Sequence, residues 1–281
     1  MIEAFHFEFM RNALMAGLLA SITCGVIGTL IVVNRLVFLA GGIAHSAYGG
    51  IGLAFYFGWP YMVGATFFAL SSAMIMAAVT LTAKQRADTI IGVMWAVGMA
   101  TGIILIDMTP GYNVDLMSYL FGSIMSVPLS DLITMAILAA VNLALVSYYY
   151  KDLLVMSYDE EFARVRGIPV KSLYFMLIGT VAVTVVIVVQ VVGLVLVIAL
   201  LTIPPYIAEK YTKSLLQMMI VSSVLGMVFV CAGLWGSYVY DLTSGAAIIL
   251  VAGIGFFLSL LLDRVIFIQR RKLWLKAHGA D

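Results

Sequence analysis

Of the three histidines, only His45 lies away from a chain terminus, and it stands inside an apolar stretch, LVFLAGGIAHSAYGGIGLAFYFG, running from Leu36 to Gly58. About 20 apolar residues at ~1.5 Å rise per residue cross a hydrocarbon core as a helix, which puts His45 roughly 13–14 Å in, close to mid-depth. Gly41, His45 and Gly49 follow one another at i, i+4, i+8 and share a stripe of that helix. The imidazole thus projects from a face with no bulk one turn above or below, and Gly41 and Gly49 are expected to line any path beside it. Gly42, Ser46 and Gly50 make a second small-residue stripe that lets another helix come close. An ionisable group at mid-depth is costly without a partner. Two roles fit: a ligand on the path of an ion, or a neutral imidazole hydrogen-bonded to a neighbouring helix.

Other chemistry is missing. The sequence has no GxxxxGK[ST] phosphate loop, no HExxH and no GxSxG elbow. Neither His6 nor His278 has a partner at metal-binding spacing. ATP binding by the usual loop is excluded, and an intramembrane enzyme is disfavoured because no nucleophile–base set lies within the apolar runs.

The elements that must hold His45 are membrane spans. Hydrophobic residues make up 64% of the chain and charged residues 10%, with mean hydropathy +1.13, against about 25% charged in soluble domains. A polytopic all-α membrane protein follows, with residues 1–281 as one membrane domain. Apolar runs occupy 12–33, 36–58, 60–83, 90–108, 130–149, 173–192, 194–208, 215–237 and 245–265. Cys24 and Cys231 both lie in such runs and read as small packing residues. The N-terminal MIEAFHFEFMR is acidic and aromatic and is not expected to be a cleavable leader.

Lys and Arg stay on the cytoplasmic side of a membrane. Placing the 150–172 connection there puts every one of the 15 basic residues except Arg11 on that side, including the 264–281 tail, provided that 194–208 crosses fully and makes nine spans. A re-entrant 194–208 would give eight. The same count gathers Glu3, Glu8, Asp107, Asp115, Asp131 and Asp241 outside, either as the complement of the basic bias or as a mouth that attracts cations. Within the connection, SYDEEFARVRGIPV has an N-cap in Ser157 or Asp159, acids in the first turn, Arg164 and Arg166 in the last, and Gly167 then Pro169 as stops. A short charged helix fits either transmission of motion from a cytoplasmic partner or an ordinary solvated connection. Pro204 and Pro205 remove two successive backbone donors and are expected to break the helix there, as a kink or a gate.

Five stretches, GGIAHSAYGG (41–50), SYLFGSI (118–124), DEEFARVRGIPV (159–170), VGLVLVIALLTIPPYIA (192–208) and DLTSGAAIIL (241–250), stand in an order and spacing that resembles the ABC-3 type permeases of metal-ion ABC importers. These are the zinc, manganese and iron uptake systems of bacteria and archaea. The resemblance covers roughly residues 10–265. It implies a helical permease related in fold to the cobalamin and siderophore importers, paired with a second copy of itself in the cell membrane, with a cytoplasmic C-terminus. It further implies two cytoplasmic ATPase subunits docked on the coupling helix 159–167 and an extracellular metal-binding protein; no nucleic acid is involved. The chain itself would bind no cofactor, the divalent metal being its cargo.

Residue by residue, the family's intramembrane histidine corresponds to His45, and the acid opening its DxTSG-like motif to Asp241. The acid-Ala-Gly pattern of the coupling helix corresponds to Glu161, Ala163 and Gly167, with Asp159, Glu160 and Arg164 beside them. Asp241, with Asp107 or Asp115, would form the outer receiving surface. One departure matters: where many zinc and manganese members have Asp four residues before the histidine, this chain has Gly41. A second ligand must then come from another span or from the partner protomer. An importer of a metal chelate or small organic ligand is the alternative within the class, and an ATP-independent secondary transporter the alternative outside it.

Overall fold

Each long apolar run closes into helix, because a segment without water to bond must satisfy its backbone N–H and C=O groups internally. The computed structural model describes residues 8–82, 86–109, 122, 124 and 127–277, with side chains through 265. The helices are α1 (Glu8–Val33), α2 (Val37–Phe57), α3 (Tyr61–Thr82), α4 (Ala87–Asp107), α5 (Leu129–Tyr148), α6 (Tyr150–Tyr158), α7 (Glu160–Val165), α8 (Val170–Val192), α9 (Leu194–Tyr211), α10 (Leu215–Tyr240) and α11 (Ser244–Ala277). Nine of those described, α1 to α5 and α8 to α11, are long and apolar enough to cross a membrane. The stretch 194–208 falls within α9, whose 18 residues reach about 27 Å at 1.5 Å each.

Burial sorts the helices by composition. α2 has the lowest mean hydropathy of the nine, 1.3, yet 78% of its central window is buried, whereas α4 at 2.1 has 22% buried. A helix rich in Gly, Ala and Ser loses little by leaving lipid and gains close packing, so α2 sits inside and α4 outside it. α1 and α8 share the interior with α2. Gly50 of α2 and Gly64 of α3 illustrate the fit: a Cβ added to either would run into the other's carbonyl oxygen. Asn142 of α5 is buried and donates to Thr184 Oγ1 of α8 at 2.9 Å, so its polarity is met within the bundle.

Three expectations are corrected. Pro204 and Pro205 do not break the helix; α9 runs through both. Proline's fixed φ is itself helical, and the Pro205 ring and the Leu201 carbonyl pack where Gly28 of α1 has no side chain, so the missing hydrogen bonds sit inside protein. The break is Gly193, at φ 87° and ψ 162° between α8 and α9. Gly122, at φ 67°, lies so close to the Val192–Gly193 backbone that a Cβ there would overlap it. The 150–172 connection holds two helices, α6 and α7, where one was expected. Cys24 is buried as a packing residue, but Cys231 is exposed on the bundle surface.

Candidate functional site

The surroundings of His45 are set by how α4 lies on α2. Their contacts advance together along both chains: Gly98 meets Ser46, and Gly102 meets the backbone of Gly52 and Tyr48. The two helices are therefore parallel, and the missing side chains of Gly98 and Gly102 fix their register. His45 and Trp95 are each the ninth residue of their helix, so the register brings them together. Their rings stack with centroids 3.9 Å apart and planes 29° from parallel.

His45 Nδ1 lies 2.9 Å from the Gly41 carbonyl oxygen. A carbonyl only accepts, so Nδ1 carries the proton, and in the neutral ring Nε2 keeps its lone pair. Among the described residues Nε2 has no hydrogen-bond partner, and the imidazole is half-buried. It is an oriented nitrogen donor at mid-span.

The two glycines flanking His45 differ. A Cβ on Gly41 would meet nothing within 4 Å, although the residue is buried, so space opens beside the imidazole. Gly49 does not line that space: a Cβ there would meet the Phe68 ring at 2.8 Å and the Gly98 carbonyl oxygen at 2.9 Å. Its lack of a side chain serves packing against α3 and α4. The Gly42–Ser46–Gly50 stripe does what its composition suggests, with Ser46 Oγ 2.8 Å from Ser72 Oγ of α3.

The acids do not converge on His45. Asp107 is exposed at the last residue of α4, about three turns beyond Trp95. Asp241 caps α10 in the left-handed conformation, φ 53°, which Asp tolerates better than most residues. It is exposed, at the turn into α11, whereas α2 packs chiefly on α3, α4, α8 and α9. Asp131 of α5 accepts from Gln190 of α8 at 3.2 Å, and Gln190 also bonds Tyr61 of α3, tying three helix ends together. Asp115 lies outside the described residues. Among the described residues no three His, Cys, Asp or Glu side chains come together as a metal cage.

The opposite end of the bundle carries α6 and α7. Asp159 is the N-cap of α7, accepting from the Phe162 backbone N–H at 2.8 Å, and Glu160 pairs with Arg164 on the exposed surface. Gly167, at φ 81°, turns the chain toward α8. Glu161 is exposed, but Ala163 is fully buried and anchors α7 to the bundle. The surface of α7 is completed by two apolar residues, Phe162 at 52% exposure and Val165 at 87%.

Sequence reasoning missed Trp95, Phe162 and Val165. For Trp95 a signal existed: tryptophans gather at membrane interfaces, and this one stands mid-span, at the depth of His45.

The ABC 3 transport family matches residues 6–263. Over 94% of each chain the sequence is 51% identical to an uncharacterized membrane protein of Synechocystis sp.. It is 33% identical to the manganese transport system membrane protein MntC of Listeria monocytogenes, over 91% of each chain. The solved structure of PsaBC from Streptococcus pneumoniae in complex with Fab has a chain of the same architecture, with TM-score 0.83 and 30% identity over 92% of this chain and 93% of that one. With one family spanning nearly the whole sequence and the bundle superposing on a solved relative, the chain belongs to the ABC 3 transport family.

Proposed function

We propose that this chain is the membrane-spanning permease of an ATP-binding-cassette importer that carries a divalent metal ion into the cytoplasm. The observation that carries the reading is His45, held mid-span with Nδ1 on the Gly41 carbonyl and Nε2 open. Imidazole is a borderline ligand that suits zinc, iron and manganese, and one nitrogen binds weakly enough to release what passes. Manganese is the first candidate, because relatives at 30% identity or more are manganese transport system membrane proteins. Orientation follows the basic residues: the α6–α7 end faces the cytoplasm, and Asp107 and Asp241 face out. ATP is hydrolysed by separate subunits seated on α7, a binding protein delivers the ion outside, and a second copy of the chain completes the path, a reading supported by the lack of any three-ligand His, Cys, Asp or Glu cage among the described residues. The space at Gly41 supports a second reading, import of the metal as a chelate.

The test is ATP-driven uptake into proteoliposomes holding permease, ATPase and binding protein, with manganese, zinc and iron offered free and chelated. We expect His45→Ala to abolish uptake of one free ion while ATPase activity persists. Undiminished uptake by that variant would remove His45 from the path, and uptake of the chelate alone by wild type would establish the second reading.

A further inference from the structure

We infer that Trp95 is a positioning residue for His45: it fixes the imidazole plane so that Nε2 meets the passing ion in one orientation. The inference rests on the metal-import reading above and adds to it a residue of α4.

Two freedoms must be removed to aim an imidazole. Rotation within the ring plane is stopped by the bond from Nδ1 to the Gly41 carbonyl oxygen, 2.9 Å. Tilt out of the plane is stopped by the Trp95 indole, stacked at 3.9 Å and 29°. The indole is backed in turn by Phe38, two turns before His45 on α2, with centroids 6.1 Å apart. The Gly98 contact on Ser46, 2.9 Å from an added Cβ to the Ser46 Cα, sets the depth of this clamp one turn beyond Trp95. The stack also closes one face of the imidazole to water and ions, so ligation is confined to the ring edge, where a nitrogen lone pair lies. Outer partners that fix a ligating histidine typically change metal affinity by about 10–100-fold when removed, because a donor free to reorient loses entropy on binding.

The test uses the full transporter in proteoliposomes and the permease in nanodiscs. In uptake of the ion that His45 governs, Trp95→Ala should lower transport at limiting metal about tenfold and far less at saturating metal, whereas Trp95→Phe, which keeps a stacking ring, should stay within about threefold of wild type. In parallel, a permease whose Trp59, Trp235 and Trp274 are replaced by phenylalanine reports Trp95 emission alone. Added Mn2+, a paramagnetic quencher, should quench that emission saturably, and His45→Ala should both alter the metal-free emission and abolish the quenching. Wild-type uptake by Trp95→Ala, or equal defects in the alanine and phenylalanine variants, would overturn the positioning role. So would Trp95 emission indifferent to His45→Ala, a readout that stands even where Trp95→Ala fails to fold. If instead His45→Ala imports normally while the emission still reports the stack, the metal-path reading fails and the geometric contact does not.

Discussion

The α2–α4 seam and the short helix α7 each set residues against their surroundings, with opposite sign. At mid-span the seam puts hydroxyls and an imidazole into the least watery part of the molecule; at its end, α7 puts Phe162 and Val165 into the most watery. The bundle resolves the first conflict largely by itself. Ser46 bonds Ser72 and the Ile43 carbonyl, and His45 has Nδ1 on Gly41, with Nε2 left over among the described residues. Among the described residues nothing covers Phe162 and Val165 on the outer face of α7. On the proposed reading, the half-satisfied polar group inside serves transport by the chain itself, whereas the apolar pair bare among charges is the kind of surface that a partner buries.

The seam depends on backbone against backbone, so the largest effect should come from filling it. Gly52→Val sets a side chain against the Gly102 carbonyl of α4, which has no rotamer to change. Overpacking of this kind costs about 1–3 kcal/mol or more, and we expect a lower midpoint of thermal unfolding in detergent and less folded protein in membranes. Gly41→Val, placed where a Cβ meets nothing within 4 Å, is the control. Equal midpoints for the two variants would mean that the seam is not set by glycine contacts.

On α7 the expected effect is on assembly. Phe162→Asp leaves the cap intact, because Asp159 accepts from the backbone N–H of residue 162 and not from its side chain. If the ATPase seats on this pair, loss of the anchor should weaken its binding to the permease in nanodiscs by roughly 2 kcal/mol, about 30-fold, with matching loss of uptake and an unchanged unfolding midpoint. Ala163→Leu should do the reverse, acting on stability, since Ala163 faces the bundle. Undiminished ATPase binding by Phe162→Asp would break the contrast between the two regions.

These regions were not equally legible in the sequence. The spans were, because an apolar run must satisfy its own backbone, and so were the Gly167 stop and a cap at Ser157 or Asp159, of which the structure takes Asp159. Pro204 and Pro205 misled because proline's effect on a helix depends on what packs there, and Gly28 of α1 is 176 residues before Pro204. Gly41 and Gly49 are alike in the sequence and differ only through Phe68 and Gly98 on other helices. Trp95 was hidden by the same distance: its depth could be counted, but not the register that turns it onto His45. Phe162 and Val165 were obscured because α7 is six residues long, too short for its apolar side to show as a period.

The most selective effect belongs at Gly41. Gly41→Asp sets a carboxylate one turn from His45 on its own face, in space that a side chain fills without contact, and leaves the backbone carbonyl that orients Nδ1 in place. A hard oxygen donor favours manganese more than zinc, so Mn2+ affinity of the permease in nanodiscs should rise about tenfold, roughly 1.4 kcal/mol. Without metal the same carboxylate is a charge at mid-depth, a cost of about 2.5–3.5 kcal/mol where nothing pairs with it; the variant should therefore unfold earlier than wild type in chelator and regain about 1.4 kcal/mol of the difference in saturating Mn2+. Gly41→Ala adds bulk without charge and should shift neither quantity by more than about 0.5 kcal/mol. The comparison separates space from chemistry: if Gly41→Asp and Gly41→Ala bind Mn2+ alike, then the room beside His45 is only room, and the ion does not pass there.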